Sequence, residues 1–350
     1  MVVQAPLAPR AATALALGLC LAALCGCGGT PPAAGPTSTA PPASRPASVP
    51  SAIARANGPT PYSFLSVAMA DPRDGYALAT GPRGKGIAVL VTTTGGARWR
   101  PVKTLADGRV YQQDIVAPDT AHADFVSGSV IAGTSNGGRS WTTLYRAPAA
   151  LQALSFTHAA DGWALGTVAK PNARHGVLLR TTDGGVRWTA LRAPCNPQAS
   201  GALSFVNATD GWASCLINPG VGRSPKTIYA TSDGGVHWKA VATTRRLGAA
   251  GPSPTDSGLN REGYPHALFF LNRKDGWFAV DNGGYFATTD GGVNWHSVWF
   301  ATFPPGYNAP SVGMLRSGFG WAVTNANPKA LGNALYVTHD HGAHWHEVYP

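Results

Sequence analysis

The sequence predicts an all-β protein, a β-propeller of six four-stranded blades, and three observations support that fold class. Glycine (43 of 350 residues) and proline (29) are abundant, against roughly 12% for the two together in average usage, which excludes a long-helix protein. A segment ending in tryptophan occurs six times, with its tryptophans 42 to 57 residues apart. Short apolar runs lie between those segments and are typical of strands. Four strands per repeat give the blade period of a propeller, and a degenerate seventh blade stays open.

Residues 1–27 are predicted to be a bacterial lipoprotein signal peptide. One cation, Arg10, precedes an apolar run from Ala11 to Leu24, which is too short to span a bilayer comfortably. The run leads into the sequence LCGC, which resembles a lipobox with a small residue before the lipidated cysteine. We therefore expect Cys27 to be the first mature residue and to anchor the protein on the outside of a bacterial membrane. An uncleaved anchor and an ordinary signal peptide are the alternatives.

Residues 28–60 are predicted to be a disordered tether between that anchor and the folded domain. They are rich in proline, serine, threonine and alanine and nearly free of large apolar side chains, so they cannot form a core. A flexible chain of about 33 residues reaches roughly 30 Å, enough to hold a domain clear of a membrane surface. The propeller is then expected to occupy residues 61–350.

The repeated segment predicts a tight turn between the third and fourth strands of each blade. Its pattern is Thr-x-Asp-x-Gly-x-x-Trp, in which the aspartate accepts backbone hydrogen bonds and the glycines supply positive φ. Thr94 and Asn136 replace the aspartate in the first two copies, so the turn matters more than a charge. We assign these residues a structural role, not calcium binding or catalysis. They are Asp183, Asp233, Asp290 and Asp340, with Trp99, Trp141, Trp188, Trp238, Trp295 and Trp345.

A second repeated element, aspartate followed by an aromatic residue, is predicted to start the second strand of each blade. Ten of the eleven tryptophans fall in the two repeated elements, and Trp299 is the exception. The tryptophans are therefore interpreted as blade packing and not as a platform for sugars. The aspartates assigned to the position just before this strand are Asp74, Asp124, Asp161, Asp210 and Asp275.

These segments resemble the Asp-box (BNR) repeats of sialidases, sortilin-type receptors and xyloglucan hydrolases. The fuller unit, DGWALG followed by a strand and TTDGGVRW, is most similar to the propeller of the photosystem II stability/assembly factor family and its bacterial relatives. The resemblance covers roughly residues 62 to 350. It implies a noncatalytic chaperone or scaffold for an extracytoplasmic complex, although unrelated activities share the repeat.

Carboxylates are too scarce to favour an enzyme. The chain has 15 aspartates and two glutamates, and nine aspartates are assigned to turns. The F/Y-R-I-P motif of sialidases does not occur. Hydrolysis by paired carboxylates would have to use residues such as Asp114 and Glu262. We therefore expect no catalytic residues and no cofactor. A sialidase-like glycoside hydrolase or a glycan-binding protein is the alternative.

Histidines and cysteines offer two further candidate sites. His344 and His346 belong to a cluster of four histidines near the end of the chain and are a weak candidate for zinc or copper, yet both positions are repeat positions at which histidine also occurs in other copies. We expect no metal. Cys195 and Cys215 are the only thiols after the signal region. Export favours a disulfide between them, and two buried free thiols are the alternative.

The basic charge of the chain is predicted to lie on one face of the propeller. Formal net charge is +10, and the variable loops opposite the repeated turns carry many of the cations. We expect that face to bind an acidic protein, an anionic glycan or lipid headgroups, and expect no nucleic acid partner. We also expect a monomer. The residues predicted to bind are Arg83, Lys85, Lys170, Arg174, Arg223, Lys226, Arg245, Arg246, Arg261 and Tyr264.

Overall fold

The fold is the predicted six-bladed propeller. The computed structural model describes residues 62–81, 86–105, 113–170, 173–195, 200–216, 225–244, 257–259, 263–280, 284–298, 311–324 and 334–349. The predicted signal peptide with Cys27, and the tether, lie outside this set. Within the described ranges there are six sheets, each of four antiparallel strands in sequence order. No helix in those ranges could span a membrane.

Each blade is built from strands a, b, c and d, which follow one another along the chain. The first three blades are β1 (Ser63–Met69), β2 (Gly75–Thr80), β3 (Ile87–Thr92) and β4 (Arg100–Leu105); β5 (Gln113–Val116), β6 (Ala123–Ser127), β7 (Val130–Thr134) and β8 (Thr142–Arg146); β9 (Ala150–Phe156), β10 (Gly162–Lys170), β11 (Ala173–Thr181) and β12 (Thr189–Arg192).

The remaining three blades repeat this arrangement. They are β13 (Ser200–Phe205), β14 (Gly211–Leu216), β15 (Lys226–Thr231) and β16 (Lys239–Thr243); β17 (Pro265–Phe270), β18 (Gly276–Val280), β19 (Gly284–Thr288) and β20 (His296–Val298); β21 (Ser311–Met314), β22 (Gly320–Thr324), β23 (Ala334–Thr338) and β24 (His346–Tyr349).

Strand direction sorts the connections onto two faces. Because neighbouring strands are antiparallel, the a–b and c–d connections lie at one end of every blade, which we call the turn face. The b–c and d–a connections lie at the other end, which we call the loop face. The c–d connections are the repeated turns, and their glycines adopt positive φ, for example Gly184 at 70° and Gly185 at 84°.

The six a strands surround a central channel of about 690 Å³. Side-chain oxygens on these strands join neighbouring blades by accepting backbone N–H groups. Ser155 Oγ accepts the N–H of Phe205 in the next blade at 2.8 Å, and Ser204 Oγ accepts the N–H of Phe270 at 2.9 Å. These serines are buried, so each bond satisfies polar groups that would otherwise be costly in the interior.

Packing between the first and last blades closes the ring. The Trp321 indole N–H and the Ser311 hydroxyl both donate to the carbonyl of Val67, at 2.8 and 3.0 Å. The rings of Phe64 and Tyr349 meet edge to face with centroids 5.0 Å apart. Each of these two blades takes all its strands from one end of the chain, so side-chain packing and these bonds hold the closure.

Candidate functional site

Most of the predicted basic binding residues lie outside the described residues or at their edge. Arg83, Lys85, Arg223, Arg245, Arg246 and Arg261 are outside the described set, as is Glu262. Lys170 is the last residue of β10 and Arg174 is the second residue of β11, and their side chains lie outside the described set. Tyr264 is exposed and comes directly before β17.

Lys226 is placed differently from the prediction. It is fully buried, with 0% of its surface exposed, and it is the first residue of β15 and not part of the preceding loop. Its backbone N–H donates to Thr244 Oγ1 at 3.1 Å, which ties the start of strand c to the end of strand d. Its side chain is therefore not part of an exposed basic surface.

The two faces differ in formal charge. The connections of the turn face contain seven basic and ten acidic residues, whereas those of the loop face contain eight basic and four acidic residues. The loop face also has the longest connection, residues 244–264, which contains Arg245, Arg246 and Arg261. The excess positive charge of the connections therefore lies opposite the repeated turns.

The aspartates of the repeated turns are held by local hydrogen bonds. In blade 3, Asp183 Oδ1 accepts the Thr181 hydroxyl at 2.9 Å and the N–H of Arg187 at 2.8 Å. The N–H of Arg187 is the main cause of the lowered pKa of Asp183. Asp233, Asp290 and Asp340 make the same pair of bonds. In the first two blades Thr94 and Asn136 accept the corresponding N–H at 2.9 Å.

Two histidines of the repeated turns are paired with the aspartates of their own turns. His237 Nδ1 lies 2.7 Å from Asp233 Oδ2, and His344 Nδ1 lies 2.6 Å from Asp340 Oδ2. His346 is exposed on β24. Among the residues that the structure describes, no three histidine, cysteine, aspartate or glutamate side chains converge as a metal site would require.

The two cysteines form a disulfide in the structure. Cys195 lies in the d–a connection after blade 3, and Cys215 lies on β14 in blade 4. Both are buried in one cluster with Trp163 and Phe205. The bond therefore links two neighbouring blades covalently.

Asp114 is the one carboxylate that lines the channel within the described ranges. Its oxygens accept the Ser66 hydroxyl at 3.0 Å and the N–H groups of Ile115 at 2.9 Å and Leu154 at 3.0 Å. Burial raises the pKa of Asp114 to about 6, against the opposing effect of these bonds. The carboxylate thus joins three blades, and no second carboxylate stands beside it there for hydrolysis by a carboxylate pair.

Asp124 does not occupy the position that the sequence predicted. It lies inside β6, paired with Gly133, where the other blades have Tyr76 or tryptophan. His122 stands at the position before the strand, with its N–H and Nδ1 bonded to Asp119. Burial raises the pKa of Asp124 to about 7. Asp124 therefore places a carboxylate at a position that an aromatic side chain occupies in the other blades.

Comparisons with known proteins show the fold and leave the family open. No protein-family model and no curated protein sequence matches the chain. YCF48 from Cyanidioschyzon merolae is 16% identical, with 81% of this chain and 97% of that chain covered and a TM-score of 0.49. The fucose-specific lectin from Aleuria aurantia is 10% identical, with 82% and 96% covered and a TM-score of 0.55.

A glycosidase shares the architecture as well. The alpha-L-arabinofuranosidase Arb93a from Fusarium graminearum is 12% identical, with 79% of this chain and 92% of that chain covered and a TM-score of 0.50. A lectin and an enzyme are thus both similar in fold at low identity. The likeness supports a propeller and does not assign an activity.

Proposed function

We propose that this protein is a lipid-anchored, extracytoplasmic interaction or assembly module whose loop face binds an acidic protein. The observation that carries the proposal is the unequal charge of the two faces, eight basic against four acidic residues on the loop connections and seven against ten on the turn connections. A cationic surface steers and orients an acidic partner. The lipobox-like sequence at Cys27 and the disulfide support export and anchoring.

The role of the carboxylates supports a noncatalytic function. Four of the repeated turns contain an aspartate, and each of these aspartates accepts a hydrogen bond from a backbone N–H group. The channel carboxylate, Asp114, accepts three hydrogen bonds. Groups held in this way stabilise the blades and are poorly placed to accept a proton from substrate. Binding by the long, variable loop connections is therefore the function that the geometry supports best.

The test is recovery of a protein partner from solubilised membranes by the full chain. Replacing Arg245, Arg246 and Arg261 with Glu should abolish recovery while circular dichroism and the melting temperature stay unchanged. The matched control replaces Arg98, Arg139 and Arg187 of the turn face with Glu, and should leave recovery intact. Equal recovery by the loop variant would refute the docking face.

Two further measurements separate this proposal from its alternatives. The unlipidated chain can be tested for binding to phosphatidylglycerol vesicles. Binding that is lost in the loop variant would identify a lipid surface, and not a protein, as the partner. Hydrolysis of model glycosides that disappears in Asp114→Asn would establish an enzyme and overturn the proposal. We expect neither result.

A further inference from the structure

Two blade junctions share one aromatic arrangement on the turn face. Between blades 3 and 4, the ring of Trp163 stacks on Phe205 with centroids 3.8 Å apart, and its N–H donates to the Gly234 carbonyl at 2.9 Å. Between blades 4 and 5, Trp212 stacks on Phe270 at 3.8 Å and donates to the Gly291 carbonyl at 2.8 Å. In both cases the tryptophan at the second position of strand b thus fills the groove between its own blade and the next one.

The junction between blades 2 and 3 has the phenylalanine and the turn glycine of this arrangement but lacks the tryptophan. Phe156 and Gly184 occupy the positions of Phe205 and Gly234, and Asp124 occupies the position of Trp163. No ring among the described residues stacks face to face on Phe156, which is half-buried, whereas Phe205 is buried. Within the described chain, no N–H donates to the Gly184 carbonyl.

Asp124 is an almost fully buried residue whose carboxylate has no hydrogen-bond donor among the described residues. Only 6% of its surface is exposed, and no described residue donates a hydrogen bond to it. Among the described residues, the titratable group that acts on it is the His122 imidazole on the connection before β6. Gly133, which pairs with it across the sheet, has no side chain, and the Asp124 carboxylate and the Leu144 side chain fill the space that a Cβ there would take. Ionising a carboxyl group in these surroundings is costly, because few groups compensate its charge.

Within the described residues the groove therefore presents two acceptors together with the ring of Phe156 and the Leu144 side chain, and no donor is bonded to either acceptor. A carboxylate, a main-chain carbonyl and the ring of Phe156 are the groups that a guanidinium can bind together, since it is planar, stacks on aromatic rings and carries several N–H donors. Lysine offers a single ammonium that cannot stack in this way. The turn connections, with ten acidic and seven basic residues, complement a basic peptide around that side chain.

We propose that the junction between blades 2 and 3 is a pocket for the arginine side chain of a basic partner peptide. The guanidinium lies on Phe156 and donates to the Asp124 carboxylate and the Gly184 carbonyl. This goes beyond the proposed function, because the pocket is on the turn face and selects a cationic group, opposite the face that selects an acidic partner. The two surfaces give one propeller two partners of opposite charge.

The test is binding of short blocked peptides to the full chain, followed by NMR of the aromatic side chains at pH 8. The peptide Gly-Arg-Gly should bind about tenfold more tightly than the same peptide with citrulline or lysine in place of arginine. It should shift the ring resonances of Phe156 and Trp188, which lie edge to face with centroids 6.1 Å apart.

Three variants decide whether Asp124 is responsible. Asp124→Asn keeps the shape and removes the charge, and should lower the affinity about tenfold. Asp124→Trp should fill the groove on the pattern of Trp163, abolish binding and raise the melting temperature. Asp275→Asn removes one carboxylate from the turn face of another blade and should leave the affinity unchanged.

Several results would overturn the proposal. Equal binding of the citrulline or lysine peptide would exclude guanidinium recognition. Equal weakening by Asp275→Asn would reduce the effect to the general charge of the face. Free L-arginine binding as tightly as the peptide would make the pocket a small-molecule site and not a peptide-docking site.

Discussion

The junction between blades 3 and 4 and the junction between blades 2 and 3 are built from the same repeat and are held in different ways. The first contains the Trp163–Phe205 stack at 3.8 Å and the disulfide from Cys195 to Cys215. Among the described residues the second has neither, and no residue there donates a hydrogen bond to the carboxylate of the buried Asp124. The residue at the second position of strand b, Trp163 in one blade and Asp124 in the other, therefore decides whether the groove to the next blade is packed or left polar.

This difference shows how a repeat fold separates stability from binding. Each blade contacts its neighbours, so a junction that gives up packing can be supported by the others around a closed ring. The junction between blades 2 and 3 still has the Asp114 carboxylate, which accepts the Leu154 N–H at 3.0 Å across the two blades. It is thus joined by a hydrogen bond near the channel and lacks the tryptophan near the turn face.

Removing the tryptophan from the packed junction should have the largest effect. Trp163 is fully buried, and Trp163→Ala should lower the free energy of unfolding by about 4 kcal/mol, because it leaves a cavity and an unpaired carbonyl at Gly234. The equivalent change at the polar junction, Asp124→Ala, should cost less than about 1 kcal/mol, since it removes an uncompensated carboxylate. Urea unfolding followed by tryptophan fluorescence measures both. Similar costs for the two variants would show that the junctions are energetically alike.

Removing the disulfide should have the next largest effect on the same junction. The bond joins residues 20 apart in sequence, and replacing both cysteines with Ala should lower the free energy of unfolding by about 3 kcal/mol. Dithiothreitol should destabilise the native chain by a similar amount and leave the double variant unchanged. A native chain that is insensitive to reduction would contradict the contribution assigned to this bond.

The sequence was sufficient to predict the blades, because their signals are local. Glycines at the turns and a tryptophan seven residues after each repeated threonine mark the c–d connections, and the apolar runs between them become the strands. The charged loops could be assigned to one face from strand order alone. The disulfide also agrees with the structure.

The sequence was not sufficient to place Asp124, because the Asp-Phe pair looks like the aspartate and aromatic residue of the other copies. The structure shifts the register by one residue, so that Ala123 pairs with Thr134 as Gly162 pairs with Thr181. A second local signal would have corrected this. The first polar residue of an a–b turn accepts the N–H three residues later, as Asp119 does for His122.

Lys226 shows a different limit of the sequence. It follows a glycine- and proline-containing loop and reads as one more loop cation. Its burial depends on where strand c begins and on what packs over that end, and both are tertiary features. Local pattern therefore placed this cation in the loop just before the strand that contains it, and in the wrong environment.

Changing the pH should have the smallest effect on the difference in stability between the two junctions. It acts on the carboxyl group at the junction between blades 2 and 3. Burial raises the pKa of Asp124 to about 7 and that of Asp114 to about 6, whereas an aspartate in the unfolded chain titrates near about 4. Between those values the folded state binds more protons than the unfolded state. The contribution of each carboxyl to stability is therefore fully present at low pH and is lost as pH rises through the folded pKa.

Asp124→Asn isolates the contribution of one of these carboxyls. Near pH 4 the variant and the native chain should unfold with similar free energies. Above pH 8 the variant should be the more stable by on the order of 2 kcal/mol, because only the native chain then buries an ionised group. Urea unfolding at half-unit steps from about pH 4 to pH 8 measures the difference curve, in which the other titrating groups cancel. A difference that stays constant with pH would mean that Asp124 is solvated in the folded state, and the contrast between the two junctions would then be one of packing alone.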